Sequence, residues 1–222
     1  MMQRVAEPEL MNDADQALAY AQADFSEPHD HFVELFKQSL PDDKFEGCIL
    51  DLGCGPGDIC LRMARAFPEA EIFGVDGAEA MLALGREAIK QQGLAARVRL
   101  LKAYLPMDNA PTQHYAAITS NSLLHHLADP NVLWQSIQAN AQKGTQIFIM
   151  DLMRPESTEQ ATKFVDIYAA DEPAILRHDF YHSLLAAYTV DEVAAQLAEH
   201  GMQHLQIKVV SDRHFIVRGV WR

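Results

Sequence analysis

Ile49-Leu50-Asp51-Leu52-Gly53-Cys54-Gly55-Pro56-Gly57-Asp58 decides the fold: an apolar run that reads as a buried strand breaks into three alternating glycines and restarts as a helix. Glycine tolerates positive φ and carries no Cβ, so the backbone there can approach a ligand closely, and the following helix brings unpaired N–H groups. A small molecule is therefore expected at the break. Glycine-rich turns also serve dinucleotides and phosphates. Asp51 sharpens the reading, because a carboxylate at the loop entrance repels a pyrophosphate and suits a ligand bearing an ammonium group.

The order acidic-x-Gly-x-Gly-x-Gly, met here by Asp51, Gly53, Gly55 and Gly57, resembles the first motif of the class I methyltransferases that use S-adenosyl-L-methionine (SAM). The match continues. A second apolar run, Ile72-Phe73-Gly74-Val75, ends in Asp76, and the resemblance implies that this acid holds both ribose hydroxyls. A nicotinamide dinucleotide site would also want an acid at that strand end, and the interval from Gly57 to Asp76 suits one; the GxGxG form with Asp51 favours SAM. The resemblance extends through Asn121-Ser122-Leu123-Leu124-His125-His126-Leu127 after a fourth strand to Ile147-Phe148-Ile149-Met150-Asp151 as a fifth, covering residues 47–152 most strongly.

What it implies is an α/β, Rossmann-like fold: a seven-stranded, mostly parallel sheet in the order 3-2-1-4-5-7-6, with a terminal antiparallel hairpin, helices on both faces and a helical lid. The expected SAM contacts are Tyr20, Asp51, Gly53, Cys54, Gly55, Gly57, Asp76, Gly77, Met81 and Asn121, with S-adenosyl-L-homocysteine (SAH) as product. Tyr20 is a candidate for the methionine carboxylate or a packing aromatic, and Met81 serves as core or adenine edge. After the third strand many relatives carry an acid for the adenine amino group. This chain reads Lys102-Ala103-Tyr104-Leu105-Pro106 instead, which assigns adenine to the backbone of Ala103 and Tyr104, with Asp108 as a substitute.

At 222 residues the chain suffices for one α/β core with an appended lid: a helical cap over 1–46 and a SAM-binding domain over 47–222 with a lid insertion at 155–188. Eighteen Lys and Arg against 31 Asp and Glu give a net charge of −13, which disfavours a nucleic-acid partner. Three cysteines, Cys48, Cys54 and Cys60, form no CxxC, and no apolar run approaches a membrane span; a reducing cytoplasm is expected.

Along the chain, residues 1 to about 12 are expected to be disordered. Helices are predicted over Ala14–Phe25, from Pro28 through Phe36, from Ile59 to Phe67, over Ala78–Gln92 and from Asp129 to Lys143-Gly144. Within the insertion, helices are expected over Glu159–Ala169 and after Pro173. Thr189-Val190-Asp191-Glu192 is a capping-box signature, and Leu205–Val210 with Phe215–Trp221 alternate like a hairpin.

SAM carries its own electrophile, so the protein is expected to act mainly by aligning the acceptor. Positioning contributes roughly 7–11 kcal/mol, whereas a general base adds about 10²- to 10⁴-fold. His125 and His126 are candidate bases, alongside Tyr181. Arg154, Tyr181 and His182 are candidate acceptor contacts, the insertion's aromatics suiting an apolar pocket with a few polar handles. His29-x-His31 and His178 with His182 have metal-like spacing but no completing carboxylate pattern, so no metal is expected. The expected function is methyl transfer to a small-molecule acceptor. The alternatives are a tRNA or protein methyltransferase and a SAM-binding module without turnover; a homodimer is the rival use of the insertion.

Overall fold

The computed structural model describes residues 2–7, 14–41, 45–107, 111 and 114–222. Its centre is a seven-stranded sheet built from β1 (Gly47–Leu52), β2 (Ala70–Asp76), β3 (Val98–Lys102), β4 (Ala117–Asn121), β5 (Gln146–Leu152), β6 (Gln206–Val209) and β7 (His214–Val220). The order is β3-β2-β1-β4-β5-β7-β6, as expected. The first five strands run parallel, and β7 enters antiparallel between β5 and β6.

Period-two alternation sorts each strand between two apolar cores. Leu50, Ile147, Ile149, Phe215 and Val217 face one, with Leu133, Trp134 and Ile137 of α5 (Asn131–Asn140) and Val193 and Leu197 of α8 (Val190–Glu199). Ile49, Ile72, Phe148, Met150 and Ile216 face the other, against α2 (Ser26–Ser39), α3 (Asp58–Ala66) and α4 (Glu79–Gln91). Strands buried on both faces belong to an α/β sheet covered by helices on each side.

Helix boundaries follow local chemistry. Pro28 does not separate two helices, because proline is tolerated in a first turn, and it sits in the first turn of α2; α1 is Ala14–Gln22. Phe32 and Phe36 of α2 are fully buried beside Phe148, which builds that helix into the core layer. Asp129 accepts the Asn131 N–H at 3.0 Å, and α5 ends at Asn140, short of Lys143-Gly144. Thr189 and Glu192 form the capping box at α8, bonding at 3.2 and 2.8 Å. Thr189→Ala should cost about 1 kcal/mol and lower the melting temperature by about 2–4 °C; thermal unfolding by circular dichroism checks it.

After β5 come α6 (Thr158–Tyr168) and α7 (Ala174–Ala186), which share a third cluster around Phe164, Val165, Leu184 and Leu185. The expected disorder at the N-terminus is corrected for residues 2–7. Val5 N–H donates to Leu185 O at 3.0 Å, and Arg4 donates to Ala186 O, His125 O and Leu127 O at 2.6, 2.9 and 3.0 Å while lying over the Tyr188 ring. Residues 8–13 lie outside the described residues. Among the described residues no helix is long and apolar enough to cross a membrane.

Candidate functional site

At the carboxyl ends of β1, β2 and β4 the chain opens into a crevice lined by Tyr20, Asp51, Gly53, Cys54, Gly55, Asp76, Ala78, Met81 and Asn121. This is the crevice in which open α/β sheets bind ligands. Gly55 adopts φ +51°, and the space where its side chain would stand is open, leaving room for a ligand against the loop. Gly85 serves a different purpose: a Cβ there would fall 2.5 Å from Pro56 O, so its absence lets α4 lie directly on the loop.

The loop amides are already spent. Gly53 and Cys54 donate to Val75 O at 2.8 and 3.0 Å, Gly57 to Cys54 O at 2.9 Å, and Gly55 to Asp76 Oδ2 at 2.8 Å. The loop's own N–H groups are therefore taken up within the fold; the unpaired N–H groups expected of the following helix are not among these bonds. The loop is tied to the end of β2 instead of forming an anion cradle, which speaks against a pyrophosphate ligand. Asp76 does the tying: its Oδ1 also accepts the Ala78 N–H at 2.7 Å, fixing the entry to α4.

Two acceptors, Asp51 and Asn121, line the crevice. Asp51 is buried, with Thr119 Oγ1 donating to its Oδ1 at 2.8 Å and Cys60 Sγ to its Oδ2 at 3.4 Å. Burial pushes its pKa from the ordinary 3.8 up to about 6, against the two hydrogen bonds and with help from Asp76. Asn121 Oδ1 is buried with no hydrogen-bond partner among the described residues. An orphaned acceptor beside a buried carboxylate fits a cationic N–H donor. Burial, then the Asp58 and Asp76 carboxylates, push Tyr20 up to about 12, so its hydroxyl remains a neutral donor.

Other expected cofactor contacts fall elsewhere. Ala103 and Tyr104 do not line the crevice; the Ala103 N–H donates to Asp76 O at 3.0 Å, and Tyr104 is largely exposed. Asp108 lies outside the described residues. Gly57 and Gly77 likewise stay out of the lining, Gly57 entering α3 at φ +78°. Missed by sequence reasoning were His29, Asp58 and Arg62. Asp58 Oδ2 lies 2.6 Å from both His29 Nδ1 and Arg62 Nε, placing a cation–carboxylate cluster beside Tyr20. The signal available was Asp58 and Arg62 at i and i+4.

A second cavity, of about 350 Å³, adjoins the first. Tyr20, Asp24, Phe25, Ser26, His29, Asn121, Ser122 and His126 line both. Ser122 holds φ 55°, unusual for a residue with a Cβ, at this shared wall. The far wall comes from α6 and α7: Tyr168, Leu176, Asp179, Phe180 and Ser183. Three expectations are corrected here. Tyr181 and His182 do not line the cavity; the Tyr181 ring meets His182 edge-on, and His182 stacks on His178 with centroids 4.3 Å apart. Arg154 donates to Glu192 Oε1 at 2.6 Å and reaches neither cavity.

His125 and His126 do reach it, on a short 3-10 turn (Leu124–His126) after β4. His125 Nδ1 lies 2.5 Å from Asp151 Oδ1, and the Leu124 and Leu152 amides donate to that buried carboxylate at 2.7 Å each. Burial opposes charge on His125, but Asp151 outweighs it and the imidazole pKa is raised. Glu7, from the N-terminal segment, brings Oε1 to 3.0 Å from His126 Nδ1 and 3.8 Å from His125 Nε2.

Residues 49–144 match the family model described as a methyltransferase domain. A trans-aconitate 2-methyltransferase from Variovorax paradoxus is 33% identical over 128 residues, 56% of this chain and 45% of that protein. A ubiquinone biosynthesis O-methyltransferase from Bordetella avium is 30% identical over 109 residues, 48% of this chain and 43% of that protein. The chain thus spans less than half the length of these curated relatives. A SAM-dependent methyltransferase structure from Aquifex aeolicus shares the fold with a TM-score of 0.66 and 17% identity, covering 93% of this chain and 97% of that one. The acidic-GxGxG loop lies inside the segment that matches the methyltransferase-domain model, and the sheet has the strand order of the class I methyltransferases that use S-adenosyl-L-methionine, the proteins this chain resembles in sequence and fold.

Proposed function

We propose that this protein transfers a methyl group from SAM to a small-molecule acceptor held in the cavity between the sheet edge and α6–α7, chiefly by positioning. The observation that carries the reading is the shared wall: a second, partly apolar cavity opens directly beside the crevice that fits the cofactor. Among the curated relatives the trans-aconitate 2-methyltransferase is named for a small-molecule acceptor, which supports the same class here.

Bound SAM supplies an electrophilic methyl on its sulfonium. In this reading Asp51 and Asn121 hold the ammonium, Asp76 the ribose, and Tyr20 closes over the methionine end. Phe25, Leu176 and Phe180 exclude water and present the acceptor along the line to the methyl. Asp24, Glu27, Glu172 and Asp179 surround the cavity with carboxylates. Its Arg213 is stacked on Tyr168 and paired with Asp212, and the acidic lining favours a cationic or amine-bearing acceptor. A proton leaving the acceptor goes to the imidazole and carboxylate groups around His125 and His126. The two helices act as a lid over residues 155–188, and the −13 charge weighs against nucleic acid.

The test is methyl transfer from labelled SAM into a metabolite extract and, separately, into tRNA and protein. Label in a small-molecule fraction, with its mass raised by one methyl, is the expected result. Label confined to the macromolecules, or SAH binding without any transfer, overturns the proposal.

A further inference from the structure

Glu7, His125 and His126 present one carboxylate oxygen and two imidazole nitrogens, all within 4.8 Å of one another. The geometry points to a divalent transition-metal site, of zinc type, on these three residues. Two ligands at about 2.0–2.1 Å from a tetrahedral ion stand about 3.3 Å apart. Glu7 Oε1 meets the two nitrogens at 3.0 and 3.8 Å, which brackets that spacing.

The second layer of the site is already in place. Asp151, 1% exposed, accepts the Nδ1–H of His125 and is itself fixed by two backbone amides. This arrangement sets the tautomer and turns the Nε2 lone pair toward Glu7, as the carboxylate behind a metal-bound histidine does. His126 Nδ1 is buried and pairs with Glu7 Oε1 at 3.0 Å, in a geometry that falls short of a hydrogen bond among the described residues. A cation seated between that buried nitrogen and the carboxylate gives each of them a ligand bond in place of their direct contact. Ser183 Oγ donates to Glu7 Oε1 at 3.1 Å and steadies the third ligand.

Two imidazoles and one carboxylate select a borderline metal such as Zn²⁺ or Fe²⁺ over Mg²⁺ or Ca²⁺, which prefer oxygen. Three protein ligands leave coordination positions free. Both histidines line the 350 Å³ cavity, so those positions face it and suit an oxygen, nitrogen or sulfur lone pair. Orienting the acceptor by that atom rests on the proposed function and applies to the loaded chain, in which the two imidazole nitrogens hold the ion instead of taking a proton; binding of the ion rests on the geometry alone. The site also explains why Arg4 clamps the N-terminal segment against the turn: the clamp carries Glu7 to the two histidines.

The experiment uses the full chain after chelator treatment and gel filtration, at pH 7.5, titrated with Zn²⁺ against a chromophoric competitor and with Co²⁺ for its d–d absorption. One equivalent binding with a four-coordinate Co²⁺ spectrum is expected. Glu7→Gln and His126→Ala should each weaken Zn²⁺ by at least about 100-fold, above the 10- to 100-fold typical of outer-layer changes. The doubly substituted H178A/H182A chain should bind as wild type does. SAH calorimetry on Glu7→Gln should stay within about twofold of wild type, since Glu7 is outside the crevice lining; this separates failure of the metal site from failure of the cofactor reading. Absence of stoichiometric Zn²⁺, or binding that survives Glu7→Gln and His126→Ala but falls in the H178A/H182A chain, overturns the assignment.

Discussion

Replacing Asp76 with alanine should weaken SAH by roughly 30- to 1,000-fold, or about 2–4 kcal/mol, measured by calorimetry at neutral pH. The basis is the loss of two charge-assisted hydrogen bonds to the ribose, each worth about 1.5–3 kcal/mol with water partly substituting. The structure adds a second route to the same loss. Asp76 also receives the amides of Gly55 and Ala78, so the alanine variant frees the loop from the end of β2. Asparagine separates the two routes. Its carbonyl can keep one amide while its NH₂ cannot accept the other, so an intermediate affinity is expected. An alanine variant that binds SAH like wild type would remove Asp76 from both roles.

Features written in local chemistry were legible: the break at Gly53-Cys54-Gly55-Pro56-Gly57, the alternation that sorts Ile147, Ile149 from Phe148, Met150, and the capping box at Thr189. Features set by distant contacts were not. Arg4 and Glu7 lie in a short polar segment without periodicity, and their order comes from partners more than 100 residues away. The phase of α7 was hidden for another reason. Leu176, Phe180, Tyr181, Leu184 and Leu185 ring that helix with apolar groups, so no stripe distinguishes the face of Leu176, Asp179, Phe180 and Ser183 that lines the cavity from the face bearing Tyr181 and His182. The partners of the loop amides were not legible because a strand-to-helix glycine turn can bond either to a ligand or to its own sheet. Only the position of Val75 O and Asp76 decides which.

Asp51 makes cofactor affinity and stability respond to pH in opposite ways. Folded and unliganded, it titrates at about 6, against an ordinary 3.8 in the unfolded chain. The folded state therefore holds the extra proton between those values, and the Asp51 contribution to stability, read as wild type minus Asp51→Asn, falls as pH rises from about 4 through 6 and then stays level. His214, pushed down to about 4 by burial, contributes in the opposite sense. An ammonium placed beside Asp51 favours the charged carboxylate and draws its pKa back down. SAH binding must then expel a proton below pH 6, so affinity should drop by about tenfold per pH unit from about 6 toward 4. Asp51→Asn has no such proton. Its SAH affinity should be weaker at pH 7.5 by roughly 1.5–3 kcal/mol, the scale of a hydrogen bond to a charged group, and should lose the Asp51 slope between pH 4 and 6. The same variant, unliganded at pH 7.5, should be more stable than wild type by about 1–3 kcal/mol, because it no longer buries a charge. Calorimetry and denaturant unfolding across pH 4–8 read both effects. Wild-type affinity that stays flat through this range, or an asparagine variant that binds SAH undiminished at pH 7.5, would place the ammonium on Asn121 without Asp51; a variant less stable than wild type at pH 7.5 would overturn the cost of the buried charge.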